Sequence, residues 1–343
     1  MGLQRLSTLL LACLAVWLTL PGAAAGQTVA PAAAGQAAEP PPPEPPLTVR
    51  RDGQGRVSIR AVRVDRIRVD GVLDEEMYRT TPPIEGFIQQ EPREGDPASE
   101  PTQAWIFFDN ENLYIAARCI DSEPDRMVLT EMRRDNYTIS NNESFTVGLD
   151  TYRDKRNGYY FQVSALGALR DGLITDEVNA NFDWNAVHDA RVRLHDRGYD
   201  LEMRIPFKSI RYREGPNQIW GIHLRRVIRW KNEQVFITRM PASYAAGAIY
   251  RFSLAAALYG LEVPATSKNL EIKPYAISSA TTNNAVQPAV SNKVDGNAGL
   301  DAKYGVTRGL IAVLNHAPFT LDGNRQVDVF MLARIAGRHT GGE

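Results

Sequence analysis

Two stretches decide the fold class: Val69-Asp70-Gly71-Val72-Leu73-Asp74-Glu75-Glu76-Met77-Tyr78 and Phe108-Asp109-Asn110-Glu111-Asn112-Leu113-Tyr114-Ile115. Asp70-Gly71 is a turn pair, because Asp accepts local backbone hydrogen bonds and Gly takes positive φ without strain. A short acidic helical turn follows it. In the second stretch Phe107 and Phe108 lead into the polar turn Asp109 to Asn112, and Leu113 resumes an apolar run. Apolar run, polar turn, apolar run is the pattern of a β-hairpin.

Outward from this hairpin the pattern repeats. Short apolar segments separated by turn residues run over Val57 to Val64, Ala104 to Phe108, Leu113 to Ile120, Ser144 to Leu149, Tyr159 to Val163 and Ala190 to Leu194. They continue over Tyr199 to Ile205, Ile219 to Val227 and Val235 to Arg239. Phe145, Val147 and Leu149 alternate with Thr146 and Gly148, as Leu201, Met203 and Ile205 do with Glu202 and Arg204, so each strand is expected to bury one face. Sustained helical periodicity is scarce. The expected fold is all-β, an antiparallel β-sandwich of jelly-roll type, followed by a few barrel-like strands.

The flanks differ in composition. Behind Arg5, Leu9 to Leu20 is apolar, shorter than the ~20 residues of a spanning helix, and Ala23-Ala24-Ala25 supplies small residues for cleavage. Residues 1–25 therefore read as a secretory signal. Residues 26–47, with Pro40 to Pro43 and Pro45-Pro46, read as an extended linker. The sandwich is expected over residues 48–262. From 268 to 343 the character changes: Leu270, Ile272 and Pro274-Tyr275 alternate, Ser278 to Asn297 reads as a polar loop, and Gly299 to Leu314 as another strand-like stretch. Arg334 to Glu343 carries no structural signal. Strands without partners leave open edges, so this portion reads as the incomplete start of a second domain.

A net charge of -1 gives no electrostatic case for nucleic acid. Of the two cysteines, Cys13 lies in the signal and Cys119 in a strand, where it reads as a small buried hydrophobe rather than half of a disulfide. His188, His195, His223, His316 and His339 show no metal-binding spacing, and neither a phosphate loop nor a Gly-x-Ser-x-Gly elbow occurs.

From about Val64 to Tyr259 the chain resembles the family 9 carbohydrate-binding module, in the form joined to an outer-membrane β-barrel. The order of several motifs carries the resemblance. They are Asp70-Gly71-x-Leu73-Asp74-Glu75, Phe87-Ile88-Gln89-Gln90-Glu91-Pro92-x-Glu94-Gly95, and Thr102 leading to Phe108-Asp109 and Leu113-Tyr114-Ile115. Next come Arg134-Asp135, Ser144-Phe145 to Leu149-Asp150-Thr151-Tyr152-x-Asp154, Asp183-Trp184-Asn185 and Glu202-x-x-Ile205-Pro206-Phe207. Leu270 to Tyr275 and Gly299 to Gly305 look like the first strands of the barrel, which is then cut short. The resemblance implies export to the periplasm or outer membrane of a Gram-negative bacterium, attachment through a partial barrel, and a xylan- or cellulose-type glycan as partner. Through its association with xylan-degrading enzymes it also raises glycoside hydrolysis, for which no catalytic carboxylate pair is visible. A third reading is a structural cap on the barrel without sugar affinity.

Sugar recognition needs an aromatic face for the pyranose and fixed polar groups for its hydroxyls. The candidates are Trp184, Tyr152, Tyr159 and Trp105, with Arg133, Arg134, Glu143 and Asn181 as polar partners. Trp184 leads, because Asn179 to Asn185 is otherwise polar; core packing and ligand contact are both open for it. Trp105 reads as core, and Trp220 and Trp230, which flank the basic run Arg225-Arg226 and Arg229, read as packed in a strand, with a sugar platform as the alternative. His188 stands where related sequences carry a second aromatic, which weakens a two-sided clamp. Asp121, Asp150 and Asp171 are candidates for a structural calcium, a reading that rests in part on the resemblance, against solvated turns as the plainer alternative.

Overall fold

The structure is a computed structural model that describes residues 39–213, 217–264, 270–283, 285, 287, 290–307, 310–320 and 330–335. The expected signal, most of the linker, Cys13 and residues 336–343 lie outside the described residues.

The first strands are β1 (Val49–Arg51), β2 (Val57–Arg60), β3 (Val62–Arg63), β4 (Ile88–Glu91), β5 (Thr102–Phe108), β6 (Asn112–Ile120) and β7 (Ser144–Asp150). They are followed by β8 (Gly158–Ser164), β9 (Leu169–Thr175), β10 (Asn179–Asn181), β11 (Asp189–His195) and β12 (Gly198–Pro206). The last of the sandwich are β13 (Gln218–Ile228), β14 (Glu233–Phe236) and β15 (Ala256–Leu261). One helix, α1 (Glu76–Thr80), occupies the acidic turn after Asp70-Gly71. The hairpin read from Phe108 to Ile115 is β5 paired antiparallel with β6.

Ten strands form one sheet in the order β1-β2-β15-β13-β7-β8-β9-β10, with β14 joining β13 to β4, and five form the other in the order β11-β12-β6-β5-β3. Pairing is antiparallel except for β2 with β15 and β3 with β5. The alternation seen in the sequence fills the space between the sheets. Phe145, Val147, Leu149, Phe161, Ile222 and Leu224 from the larger sheet meet Ile115, Ala117, Leu201, Met203 and Ile205 from the smaller. Cys119 is buried among them, and burial pushes its thiol up to about 11.

One expectation fails informatively: every residue of β7 and β8 is buried, on both faces. The outer face of the larger sheet is covered by the 3₁₀ turns Ala242–Tyr250 and Phe252–Leu254, whose Ala248, Ile249 and Phe252 pack with Tyr160, Ile174 and Phe236. Glycine makes that approach possible. A Cβ built at Gly158 would stand 2.6 Å from Phe252 Cε2, and one at Gly148 3.2 Å from Phe252 Cε1.

Two further expectations change. The end of the Pro-rich segment is seated on the sandwich instead of spanning free. Tyr259 Oη donates to the Pro40 carbonyl at 2.7 Å, Ser58 Oγ to that of Pro41 at 2.6 Å, and Pro40 and Pro43 are buried. The polar stretch Ser278 to Asn297 is mostly strand: β16 (Leu270–Asn283), β17 (Val290–Thr307), β18 (Leu310–Thr320) and β19 (Phe330–Ile335) form an antiparallel meander. Ser278, Ser279 and Ala280 are all exposed, so there both faces of β16 are uncovered, and no alternation was demanded of its sequence.

The Asp70-Gly71 opening is fastened by a single carboxylate. Glu202 of β12 accepts the Asp70 and Gly71 amides, each at 2.8 Å, on Oε2 and the Tyr78 hydroxyl at 2.7 Å on Oε1. Gly71 has φ +84°, and a Cβ there would lie 3.1 Å from the Val192 carbonyl carbon, so the turn also needs glycine on steric grounds. Glu202→Ala is expected to lower stability by about 3 kcal/mol in urea unfolding, against about 1 kcal/mol for Tyr78→Phe, which removes one of the three bonds. Equal losses from the two would refute this division of the load.

Candidate functional site

The residues singled out from the sequence fall into different surroundings. Trp184 is half-buried and rests on the core edge, 5.2 Å from the Tyr159 ring and 6.2 Å from Phe161. Beneath its loop, the buried Asp171 accepts the Ala186 amide at 2.6 Å and pairs with Arg134, while His188 stands 4.0 Å from it. Burial raises the Asp171 carboxyl and lowers the His188 imidazole from their ordinary values. Trp184, Tyr159 and Arg134 are thus brought together as a packed corner, with His188 edge-on to Phe161 at 5.1 Å.

The others are distributed. Tyr159 is buried and its hydroxyl accepts the Arg211 amide at 2.8 Å. Tyr152 is 41% exposed in the turn after β7. Arg133 clasps Glu131 through Nε at 3.0 Å and Nη2 at 2.9 Å, and Asn181 accepts the Asp183 amide at 3.0 Å. Glu143 is fully buried and accepts the Arg229 and Trp230 amides at 2.8 and 3.3 Å, so it presents no surface to a ligand. Trp105 and Trp220 are buried, and Trp230 donates to Asp121 Oδ2 at 3.1 Å.

The three candidate calcium carboxylates do not converge. Asp121 holds Trp230 and the Glu123 amide, Asp150 the Asp154 and Lys155 amides, and Asp171 the Ala186 amide with Arg134. Among the described residues no group of three or more His, Cys, Asp or Glu side chains is placed to hold a metal ion. Each carboxylate instead anchors its own turn.

A site away from the leading sequence candidates lies on the covered outer face of the larger sheet. There, between the strands and the Ala242–Tyr250 turn, is a cavity of about 300 Å³. Period-two geometry sends Tyr160 of β8, Arg170 of β9 and Arg225 of β13 to this face, and Tyr250 closes over them, 6.2 Å from the Tyr160 ring. Arg229, Glu91, Asn232, Glu233, Gln234 and Ser140 complete the polar rim. A hydrogen-bond chain sets the floor: Arg225 Nη2 donates to Thr146 Oγ1 at 3.1 Å and Tyr160 Oη at 3.4 Å, Tyr160 donates to Gln162 Oε1 at 2.8 Å, and Gln162 donates to Ser144 Oγ at 3.2 Å. Arg170 lies over the Phe182 ring at 3.6 Å, which fixes its plane. Of the residues singled out from the sequence, Arg225 and Arg229 of the basic run line this cavity, and none of the leading aromatic and polar candidates does. The available signal was Arg225-Arg226 inside an otherwise apolar strand.

A second, more open groove of about 820 Å³ runs past the Asp109 to Asn112 turn and Arg204. Its Asp109 is committed to that turn, accepting the Tyr114 hydroxyl and the Glu111 amide, both at 2.7 Å.

No protein-family model and no curated protein matches the chain. Solved structures match in part. Two are of a family 9 carbohydrate-binding module from Caldicellulosiruptor kristjanssonii. The one in complex with cellotriose has 16% identity, covers 61% of this chain and 95% of that chain, and has a TM-score of 0.42. The one with glucose has 15% identity, covers 62% and 98%, and has a TM-score of 0.41. A third, a Bacteroides uniformis protein proposed to bind carbohydrate, has 10% identity, covers 59% and 98%, and has a TM-score of 0.44.

Two expectations follow from the buried groups. Burial pushes Glu143 up to about 7 from an ordinary 4.5, with the Trp230 amide, Arg226 and the Arg229 amide opposing. Between those values the folded chain keeps a proton that the unfolded chain has lost, so stability falls as pH rises through the window and levels off above it. Against Glu143→Gln, which lacks this titration, thermal melts of the native chain should lose on the order of 3 kcal/mol across that window; parallel pH profiles would refute it. Trp184→Ala should lower stability by about 2 kcal/mol through lost packing, read by urea unfolding, and a change under about 0.5 kcal/mol would show that the ring carries little packing.

Proposed function

We propose that this chain binds carbohydrate, without cleaving it, in the cavity on the outer face of the ten-stranded sheet. The observation that carries this reading is the meeting of two aromatic rings, Tyr160 and Tyr250, with guanidinium, amide, carboxylate and hydroxyl groups fixed around about 300 Å³ of space. An aromatic face for the ring and convergent polar groups for its hydroxyls are what a saccharide requires. The ordered motifs from Asp70-Gly71 to Pro206-Phe207 support the same reading through their resemblance to sugar-binding modules. The glycan is an oligosaccharide end or a short segment, since the cavity is at the small end of ligand pockets.

Export is part of the proposal. It is supported by Arg5 with the apolar run Leu9 to Leu20. Attachment to an outer membrane is supported by the meander β16 to β19. Its longer strands exceed the ~10 residues that cross a bilayer, and Ile272, Val294 and Leu300 are exposed on it. The same meander favours a second reading, a cap domain on a barrel with no sugar affinity.

Calorimetry of the full chain against xylan, cello-oligosaccharide and acidic oligosaccharide panels separates the two readings. Binding that weakens about fivefold in Tyr250→Ala, from the loss of about 1 kcal/mol of ring contact, supports the cavity. Binding lost in Trp184→Ala but retained in Tyr250→Ala would move the site to the Trp184 corner. Failure of every glycan would leave the cap reading, and release of reducing ends would overturn the non-catalytic one.

A further inference from the structure

Arg225 and Arg226 are neighbours on β13, and both are buried, at 4% and 0% exposure. Alternation sends them to opposite faces. Arg226 enters the core side, where Asp121 Oδ2 lies 3.6 Å from its Nη2 and Glu143 is also near. Arg225 enters the cavity, where among the described residues its side chain donates only to the Thr146 and Tyr160 hydroxyls and its Nε has no partner. Arg170, on the same wall, also has an Nε without a partner. The carboxylates of the rim are otherwise engaged: Glu233 accepts the Ser99 amide at 2.8 Å and Glu91 the Gln234 amide nitrogen at 3.0 Å. A buried guanidinium without a counter-charge is costly. Among the described residues no carboxylate forms an ion pair with Arg225, which lines the cavity.

We propose that the cavity takes the carboxylate of an acidic sugar, a hexuronate unit, on Arg225 and Arg170. The proposal rests on the carbohydrate reading above and names its substrate class. A carboxylate matches the fork of donors that guanidinium presents, and a charge-assisted pair out of water is stronger than a bond to a sugar hydroxyl. Tyr250 and Tyr160 are left for the ring. Glu91 and Glu233 on the rim oppose densely charged anions, so a single carboxylate on an otherwise neutral ring suits the cavity better than a polysulfated chain.

The test is calorimetry of the full chain at a fixed ionic strength of about 0.15 M. The probes are di- and trisaccharides of glucuronate and galacturonate, the matching neutral gluco- and galacto-oligosaccharides, and sodium acetate as a free carboxylate. The expected result is at least about tenfold tighter binding of the uronates than of the neutral sugars. Arg225→Met should abolish that preference, and acetate should bind far more weakly than either uronate. Uronates and neutral sugars binding alike would overturn the inference and leave the carbohydrate reading standing. Binding of neither panel would overturn both, and acetate matching the uronates would overturn the sugar as the source of the carboxylate. Should Arg225→Met fail to fold, Arg170→Met and Arg225→Lys carry the same comparison, with a reduced uronate preference expected in each and an unchanged preference in both overturning the inference.

Discussion

Everything that distinguishes the two faces of the larger sheet depends on the pairing of β13 with β7. Gly221 to Val227 run antiparallel to Asp150 to Ser144, and that register fixes Ile222, Leu224 and Arg226 inward and His223 and Arg225 outward. A slip of one residue would exchange the two arginines, placing the one with no carboxylate in the core and bringing Asp121 out of reach of its partner. The apolar residues on the inner face forbid the slip. Register, charge placement and cavity chemistry are consequences of one ladder.

The second layer on the outer face follows from the same ladder. With Tyr160, Phe236 and His223 on that side, the sheet carries more apolar surface there than water would tolerate, and the Ala242–Tyr250 and Phe252–Leu254 turns cover it. His223, fully buried with Nε2 3.0 Å from the Arg251 carbonyl, is held down to about 4 by burial, so it adds no charge to this layer near neutral pH. The cover leaves a cavity where Arg225, Arg170 and Tyr250 meet. That is how a sheet buried on both sides comes to hold a cavity.

The strands whose inner residues alternate cleanly were legible in the sequence: β7, β12 and the β5–β6 hairpin run within a residue or two of the segments read from it. β9 was not, because Leu169-Arg170-Asp171-Gly172-Leu173 places opposite charges on successive residues, one for each face. The facing ends of β16 and β17, from Ser278 to Asn297, were hidden by Ser, Thr, Ala and Asn, while Leu270 to Tyr275 and Gly299 onward read as strand. The packing of the Trp184 corner was left open for a different reason. Local composition marks Asn179 to Asn185 as polar, yet the ring folds back onto Tyr159 and Phe161 of another strand, a contact that no neighbouring residue announces. Nor does the pair Arg225-Arg226 reveal which cation has a partner, since the carboxylate that decides it, Asp121, is at the far end of a different sheet's strand.

The seating of Pro40 and Pro41 has a mechanical side. Beyond this segment and the short β1, the strand β2 lies parallel to the strand that ends the sandwich, β15, with Ser58 opposite Ala257 and Arg60 opposite Tyr259. In a parallel pair, tension between the incoming and outgoing chain loads the ladder along the strands, so its hydrogen bonds must fail together and not one at a time. The Tyr259 hydroxyl on the Pro40 carbonyl adds a bond in that path. A sandwich held at both ends would therefore resist extension at its edge, leaving the ladder between β13 and β7 out of the line of force.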